Sequence, residues 1–283
     1  MPPSLPSSAR QDPGPDRRGA ASMILAAGGP VILLLGALVP GQRVLAVAGL
    51  AMGWAVLRLA RRPEAIAWAA CIPVATAFLW PAVLGADEPV GDPACTDPLA
   101  VIALRRVALA GAVATVVAGL AVAHRADLAS LGLRRPAPWE LAVAIAGCLI
   151  LAVGGLVIGP LVARPFFGEL AFPVPPAALF PALVFGVPNG VTEELQYRGA
   201  MQGWLGWIAP RWVAIALPAL VFGIVHAGPE VVALLPLHVA LLTGVGLAAG
   251  AVRAWTGTLA IPIGIHVGAD IALYVGLACR APA

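Results

Sequence analysis

The sequence predicts an all-α polytopic membrane protein with about eight or nine transmembrane helices. Of its 283 residues, 60% are hydrophobic and only 11% are charged, whereas a soluble domain usually carries about 25% charged residues. The mean hydropathy is +0.94, and the apolar residues form long runs rather than the alternating pattern of a half-buried strand. Since a helix satisfies its backbone groups within one such run, each run is predicted to be a membrane helix.

The apolar runs follow a polar N-terminal tail. Residues 1–22 are rich in Pro, Ser and Arg and are predicted to be disordered. The next run begins at Met23 and is predicted to be a first membrane helix rather than a signal peptide, because it lacks a cleavage site and further spans follow. The other predicted spans cover 44–60, 65–85, 99–123, 140–163, 176–208, 211–228, 231–252 and 258–279.

Two of these runs depart from a plain span of about 20 residues. The run 99–123 contains Arg105 and Arg106, and the choice between eight and nine spans depends on it. The run 176–208 is too long for one straight crossing, so we expect it to be broken, tilted or partly interfacial. The chain is divided accordingly into the tail (1–22), N-terminal transmembrane helices (23–129) and a C-terminal membrane core (130–283).

The arginines indicate how the chain is oriented. All 17 basic residues are arginine. Groups of them lie before the first span, at the end of the second and before the fifth, whereas the loop 86–98 has four acidic residues and no basic one. By the positive-inside rule the N-terminus is predicted to be cytoplasmic. The heavy use of Ala, Gly and Pro suggests a bacterial origin, hence the cytoplasmic (inner) membrane. No basic stripe with interleaved aromatic residues occurs, so we expect no nucleic-acid partner.

Ionisable side chains inside membrane spans are costly and are therefore expected to be functional. The first group is Glu193, Glu194 and Arg198, within the segment TEELQYRG. On a helix Glu194 and Arg198 lie one turn apart and can form an ion pair, whereas Glu193 points about 100° away and is left available as a base. The alternative is a set of charges at a helix end, at the membrane interface.

The other two groups contain histidine. Phe222 and His226 are one helical turn apart, so the phenyl ring is expected to pack beside the imidazole. His266 and Asp270 have the same spacing and share one helix face. Taken alone, His226 is also consistent with a hydrogen-bonded packing residue, and His266 with Asp270 is consistent with an ion pair that fixes helix register.

Sequence spacing brings two of the groups to the same depth. If the chain reverses at the Ala-Pro step between them, Glu193 lies 17 residues before the proline and His226 lies 16 after it, which gives similar depths in an antiparallel hairpin. His266 has no such match and would need a broken or tilted helix. His238 is left out of the site, and His124, among arginines at a loop, is expected to be solvated.

The three groups, in this order, resemble the CAAX protease and bacteriocin-processing (CPBP, or Abi) family of intramembrane proteases. The segments TEELQYRG, WTGTLAIPIGIH and SLGLRRP are also similar to that family, so the likeness covers roughly residues 130–279. The family's motifs are EExxxR, FxxxH and Hxxx followed by Asn or Asp, which here are Glu193-Glu194-x-x-x-Arg198, Phe222-x-x-x-His226 and His266-x-x-x-Asp270.

The resemblance implies an all-helical catalytic bundle in the C-terminal half that hydrolyses a peptide bond near or within the bilayer. Glu193 would activate the attacking water with help from His226, and its neighbouring ion pair would brace the site. The third group would stabilise the oxyanion of the tetrahedral intermediate. A carboxylate removed from water is a stronger base, and preorganised donors stabilise developing negative charge, so the residue types agree with these roles.

The family is described both as metal-dependent and as a metal-free, glutamate-type protease. In the first case Glu193, His226, His266 and Asp270 would be zinc ligands with an open position for water. Many members have Asn in the position of Asp270. Because an ionised Asp cannot donate to an oxyanion, Asp270 would be protonated, orient His266 or bind the metal.

The expected partners are a peptide or protein substrate, membrane-tethered or secreted, and the lipid bilayer. Two alternatives to a peptidase are an ion-coupled membrane transporter, in which the buried ionisable residues relay protons, and a non-catalytic membrane scaffold or immunity protein. The transporter is less favoured because the sequence shows no internal repeat.

Overall fold

A computed structural model describes residues 20–39, 41–84, 98–167, 179–226 and 235–278. All regular structure in these ranges is helical, which confirms the predicted all-α class. The helices are α1 (Ala20–Leu38), α2 (Arg43–Leu59), α3 (Ala65–Leu84), α4 (Pro98–His124), α5 (Pro138–Phe167), α6 (Leu179–Glu194), α7 (Gln202–Leu205), α8 (Arg211–Val225), α9 (Leu235–Thr256) and α10 (Ala260–Ala278), with a π-helical segment, Leu195–Met201, between α6 and α7.

Within the described ranges, four helices contain stretches that are long and apolar enough to cross a membrane: Ala21–Leu38, Arg105–His124, Pro138–Ile158 and Pro236–Thr256. Large apolar side chains are exposed along them, for example Leu149 and Ile150 on α5, as expected for a surface that contacts lipid. The chain is therefore an integral membrane protein. The total of eight or nine spans stays a prediction.

The described part of the long run 176–208 changes its helix type instead of breaking, since the chain stays helical from Leu179 to Leu205. Its first part is α6, which ends at Glu194, and the backbone continues as the π-helical segment. Short π-helical turns occur frequently at functional sites.

The predicted tail 1–22 needs a correction at its end, because Ala20–Ser22 already belong to α1 and the Ser22 hydroxyl donates a hydrogen bond to the buried Glu64 carboxylate. Residues 1–19 and most of the acidic loop (85–97) lie outside the described residues.

Helix α10 packs against α5 through two of its glycines. A Cβ on Gly264 or Gly268 would lie 2.3 Å from a backbone carbonyl oxygen of α5, that of Ala144 or Cys148. Small residues one turn apart allow membrane helices to approach this closely. A neighbouring face of α10 packs against α6, so α10 contacts both α5 and the helix that carries the first group of ionisable residues.

The loop between α4 and α5 fixes the ends of several helices. Arg134 donates hydrogen bonds to Glu140 at 2.6 Å and to the carbonyl of Thr256. Arg253 donates to the carbonyl of Ser130 at 2.8 Å. The segment SLGLRRP is thereby bound to the turn between α9 and α10, which leads into the His266 helix.

Candidate active site

The structure brings the three groups of ionisable residues together in one buried cluster. Glu193 Oε2 lies 3.4 Å from His226 Nε2 and 3.6 Å from His266 Nε2. Glu194 Oε1 lies 2.9 Å from Arg198 Nη1, the pair expected from the helical spacing, and 2.8 Å from His266 Nδ1. Side chains from α6, the π-helical segment, α8 and α10 therefore meet at one point.

Glycines on α6 allow α10 to reach this cluster. A Cβ on Gly190 would lie 2.9 Å from the Val267 side chain and 3.0 Å from its backbone nitrogen, and Gly186 one turn earlier is equally close to α10. This approach places His266 beside Glu193, although sequence spacing gave it no match in depth. The Gly-xxx-Gly pattern of α6 was a signal in the sequence that predicts such a contact.

Hydrogen bonds fix which nitrogen of each imidazole faces Glu193. His226 Nδ1 donates to the carbonyl of Phe222 at 2.7 Å, and His266 Nδ1 donates to Glu194 Oε1 at 2.8 Å, because carbonyl and carboxylate oxygens only accept. In the neutral rings both Nε2 atoms are therefore acceptors. Glu193 Oε2 is buried and accepts no hydrogen bond from the described residues. These facing acceptors need a proton, or the hydrogens of a water molecule, between them.

Asn189 is a residue of this site that sequence reasoning missed. Its Nδ2 donates to Glu193 Oε1 at 3.1 Å and to Asp270 Oδ2 at 3.0 Å. Its Oδ1 accepts from Arg106 Nη1 at 3.2 Å. The amide thus bridges two carboxylates and connects them to a guanidinium group of α4. Asn189 lies one turn before Glu193 and could have been found by that spacing. Arg106 also had a signal, since it is an ionisable residue inside the predicted span 99–123.

The cluster has more carboxylates than guanidinium groups. Its three carboxylates, Glu193, Glu194 and Asp270, are paired with two guanidinium groups, Arg198 and Arg106. With both imidazoles neutral the cluster would carry one uncompensated negative charge, which is costly in a buried site. We therefore expect it to bind one further proton. His266, whose Nε2 also lies 3.7 Å from Asp270 Oδ1, is close to all three carboxylates.

Phe222 packs in the middle of the cluster. Its ring centroid lies 4.5 Å from that of His226, the contact expected from their spacing, and 5.9 Å from that of His266. The Arg198 guanidinium carbon is 4.7 Å from the same centroid, within the range of a cation–π interaction. Phe222 therefore fixes both imidazoles and the guanidinium group by direct contact.

A cavity of about 170 Å³ opens beside Glu193. Glu193 and His226 line it together with Arg43, Phe78 and Arg106 from α2, α3 and α4. The N-terminal helices, to which the sequence motifs assign no role, therefore contribute to the lining of the candidate site.

The other two histidines lie outside the cluster. His238 Nε2 donates to the backbone carbonyl of His226 at 3.2 Å. His124 is half-buried and accepts a hydrogen bond from the Trp54 indole at 2.9 Å. His124 is therefore only partly exposed, because α2 packs its Trp54 ring against the end of α4.

A zinc ion at this site would take its ligands from Glu193, His226, His266 and Asp270. Imidazole nitrogens and carboxylate oxygens are ligands that zinc accepts. Among the described residues, however, no group of three or more His, Cys, Asp or Glu side chains is placed to hold a metal ion. Glu193, His226, His266 and Asp270 do not fit a metal site in this arrangement.

Fold and site together define a helical membrane protein whose core holds a cluster of carboxylates and imidazoles. Residues 175–272, which include all three motif groups, match the family model described as type II CAAX prenyl endopeptidase Rce1-like. This match confirms the resemblance carried by the motifs: the segment is similar to the CAAX protease (CPBP) family, a family of membrane proteases. The match favours a peptidase over a transporter. No curated protein and no solved structure matches this chain.

Proposed function

We propose that this chain is a membrane-embedded endopeptidase that cleaves a prenylated peptide near its C-terminus, with a water molecule activated by Glu193. The observation that carries this proposal is the position of Glu193 Oε2. It is a buried carboxylate oxygen that faces the Nε2 atoms of His226 and His266 at 3.4 and 3.6 Å. The other oxygen, Oε1, accepts from Asn189, whereas Oε2 has no donor among the described residues and is free to take a proton from water.

In the proposed reaction Glu193 acts first as general base and then as general acid. Its Oε2 takes a proton from the water molecule, whose second hydrogen bonds to His226 Nε2. The water oxygen forms a bond to the scissile carbonyl carbon, and the π electrons of the carbonyl move onto its oxygen. When the intermediate collapses, the C–N bond breaks and the leaving nitrogen takes the proton from Glu193, which releases a carboxylic acid and an amine.

His266 is the proposed donor to the oxyanion. Its Nδ1–H is used by Glu194, so its Nε2 can donate only when the ring carries the additional proton that the buried cluster requires. Asp270 accepts from Asn189 and lies 3.7 Å from His266 Nε2. We therefore assign Asp270 the role of orienting and charge-balancing His266, and a preorganised imidazolium would stabilise the oxyanion strongly.

The surroundings of the cluster suit a lipidated peptide. Arg43 and Arg106 line the cavity beside Glu193, and guanidinium groups bind a terminal carboxylate well. Phe180, Val187 and Val191 of α6 are exposed, so the same helix that carries Glu193 offers an apolar surface to a prenyl chain. A substrate bound in this way has its lipid in the bilayer and its short C-terminal tail in the cavity.

Cleavage of a farnesylated peptide with a fluorescence-quenched C-terminal tripeptide tests the proposal. The full chain in lipid nanodiscs should cleave it, and mass spectrometry of the products gives the bond that is hydrolysed. Glu193→Gln should lower kcat by about a thousandfold, since general acid–base catalysis contributes about 10²–10⁴. Asp127→Asn, which removes an exposed carboxylate far from the motif residues in sequence, is the control and should leave kcat unchanged.

Two results would contradict the proposal in different ways. If Glu193→Gln remains as active as the wild-type chain, another group activates the water. If the wild-type chain cleaves neither the prenylated peptide nor its unprenylated counterpart, the chain is not a peptidase for this substrate class.

A further inference from the structure

A second and larger cavity, of about 370 Å³, lies where α2 ends, α3 begins and α4 ends. We call it the arginine cavity. It shares no lining residue with the cavity beside Glu193. Basic side chains dominate its lining, which includes Arg58, Arg61, Arg62, His124 and Arg125. Such a concentration of positive charge needs either nearby carboxylates or a bound anion.

Arg61 and Arg125 have backbone conformations that favour glycine. Their φ angles are 55° and 53°, and every other residue with positive φ in the described ranges is a glycine. Each arginine lies just after the end of a helix. The N–H of the residue that follows it donates to the carbonyl five residues earlier, and in this C-terminal motif the position of the arginine is usually occupied by glycine. Two residues that line the same cavity, Arg61 and Arg125, therefore have a strained backbone. Such backbone strain is concentrated at functional sites.

The same two arginines are also the ones available to a ligand. Arg58 donates at 2.8 Å to a carbonyl in the last turn of α4, and Arg62 pairs with Glu64 at 3.2 Å. The guanidinium groups of Arg61 and Arg125 are exposed and make no hydrogen bond or ion pair with another described residue. An anion bound between them would offset the repulsion between their like charges.

The border of the cavity indicates which anion this is. Adjacent in sequence to the lining residues, apolar side chains of α2 and α4 are exposed, with Leu59 at 83% and Val122 at 79%. A soluble anion would make no contact with these apolar side chains, whereas the acyl chains of a lipid would pack against them. We propose that the arginine cavity binds the phosphate of an anionic glycerophospholipid, as basic pockets between helix ends do, with the acyl chains lying along α2 and α4.

The test compares two lipids and two substitutions in the delipidated full chain by native mass spectrometry. Phosphatidylglycerol and phosphatidylcholine with identical acyl chains are titrated against the wild-type chain, Arg61→Gly, Arg125→Gly and the double variant. Glycine suits a positive φ, so these variants should melt no earlier than the wild-type chain. Arg135→Gln, at an exposed arginine that does not line the cavity, is the charge control.

We expect the wild-type chain to prefer phosphatidylglycerol. Each single variant should weaken its binding about fivefold and the double variant about 30-fold, while phosphatidylcholine binding and the Arg135→Gln variant stay unchanged. Equal affinities for the two lipids, or an equal loss in Arg135→Gln, would overturn the site. Displacement of phosphatidylglycerol by millimolar inorganic phosphate would instead identify a site for a soluble anion and overturn the lipid assignment.

Discussion

Asn189 supplies the hydrogen bonds that hold two carboxylates of the candidate site in place. Its Nδ2 donates to both Glu193 Oε1 and Asp270 Oδ2. We predict that Asn189→Leu, which is similar in size, lowers kcat about 10–100-fold with little change in KM, because a buried acceptor left without its donor costs about 1–3 kcal/mol. The peptide-cleavage assay measures both constants. An unchanged kcat would show that Glu193 is oriented without the Asn189 amide.

Asp270 shows how far the sequence could lead at this scale. Its spacing from His266 predicts a shared helix face, and the two side chains do lie 3.7 Å apart. The sequence left three roles open for Asp270: protonation, orientation of His266 and metal binding. The Asn189 amide was the missing information, since it reaches Asp270 from another helix 81 residues earlier in the chain. The spacing of residues within one helix cannot predict a partner that lies on another helix.

At the scale of helices, the contact between α6 and α10 determines whether the candidate site forms. A side chain larger than hydrogen at Gly190 meets the backbone of α10 at Val267, 3.0 Å from the added Cβ. We predict that Gly190→Leu pushes α10 outward, separates His266 from Glu193 and lowers cleavage at least a hundredfold. The measurement is the cleavage rate together with the melting temperature in the same nanodiscs.

A glycine on a lipid-facing surface provides the control for this element. Gly119 of α4 is exposed, and a Cβ built on it meets no described atom within 4 Å. Gly119→Leu should therefore leave both the cleavage rate and the melting temperature unchanged. If Gly190→Leu retained wild-type activity, close packing of α6 and α10 would not be required for the site.

The helices themselves were largely predictable because each depends on a local property. A run of apolar residues is sufficient for a membrane helix, and the predicted runs 44–60, 65–85 and 211–228 agree with α2, α3 and α8. The contacts between helices were harder to predict from the sequence. The approach of α10 to α6 had a local signal in Gly186 and Gly190, whereas the packing of Trp54 on His124 joins residues 70 positions apart and has none.

At the scale of the whole molecule, the candidate site extends beyond the segment that matches the family. The matched residues, 175–272, contain all three motif groups. Arg106 lies outside that segment, on α4, yet it bonds to Asn189 and lines the cavity beside Glu193. Gln196 of the π-helical segment also donates to the carbonyl of Pro73 in α3 at 2.7 Å. The N-terminal helices are therefore packed directly against the site.

This arrangement predicts that activity depends on a charge supplied by α4. Arg106→Met keeps most of the side chain's length but removes the guanidinium group, so the buried cluster loses one of its two compensating positive charges. We expect kcat/KM for the prenylated peptide to fall about tenfold or more, a loss of about 1.4 kcal/mol or more, and Arg106→Lys to recover part of it. Arg105→Met, at the adjacent arginine that does not line the cavity, is the matched control. Wild-type kcat/KM in Arg106→Met would show that the C-terminal core works without α4, and the N-terminal helices would then need another explanation.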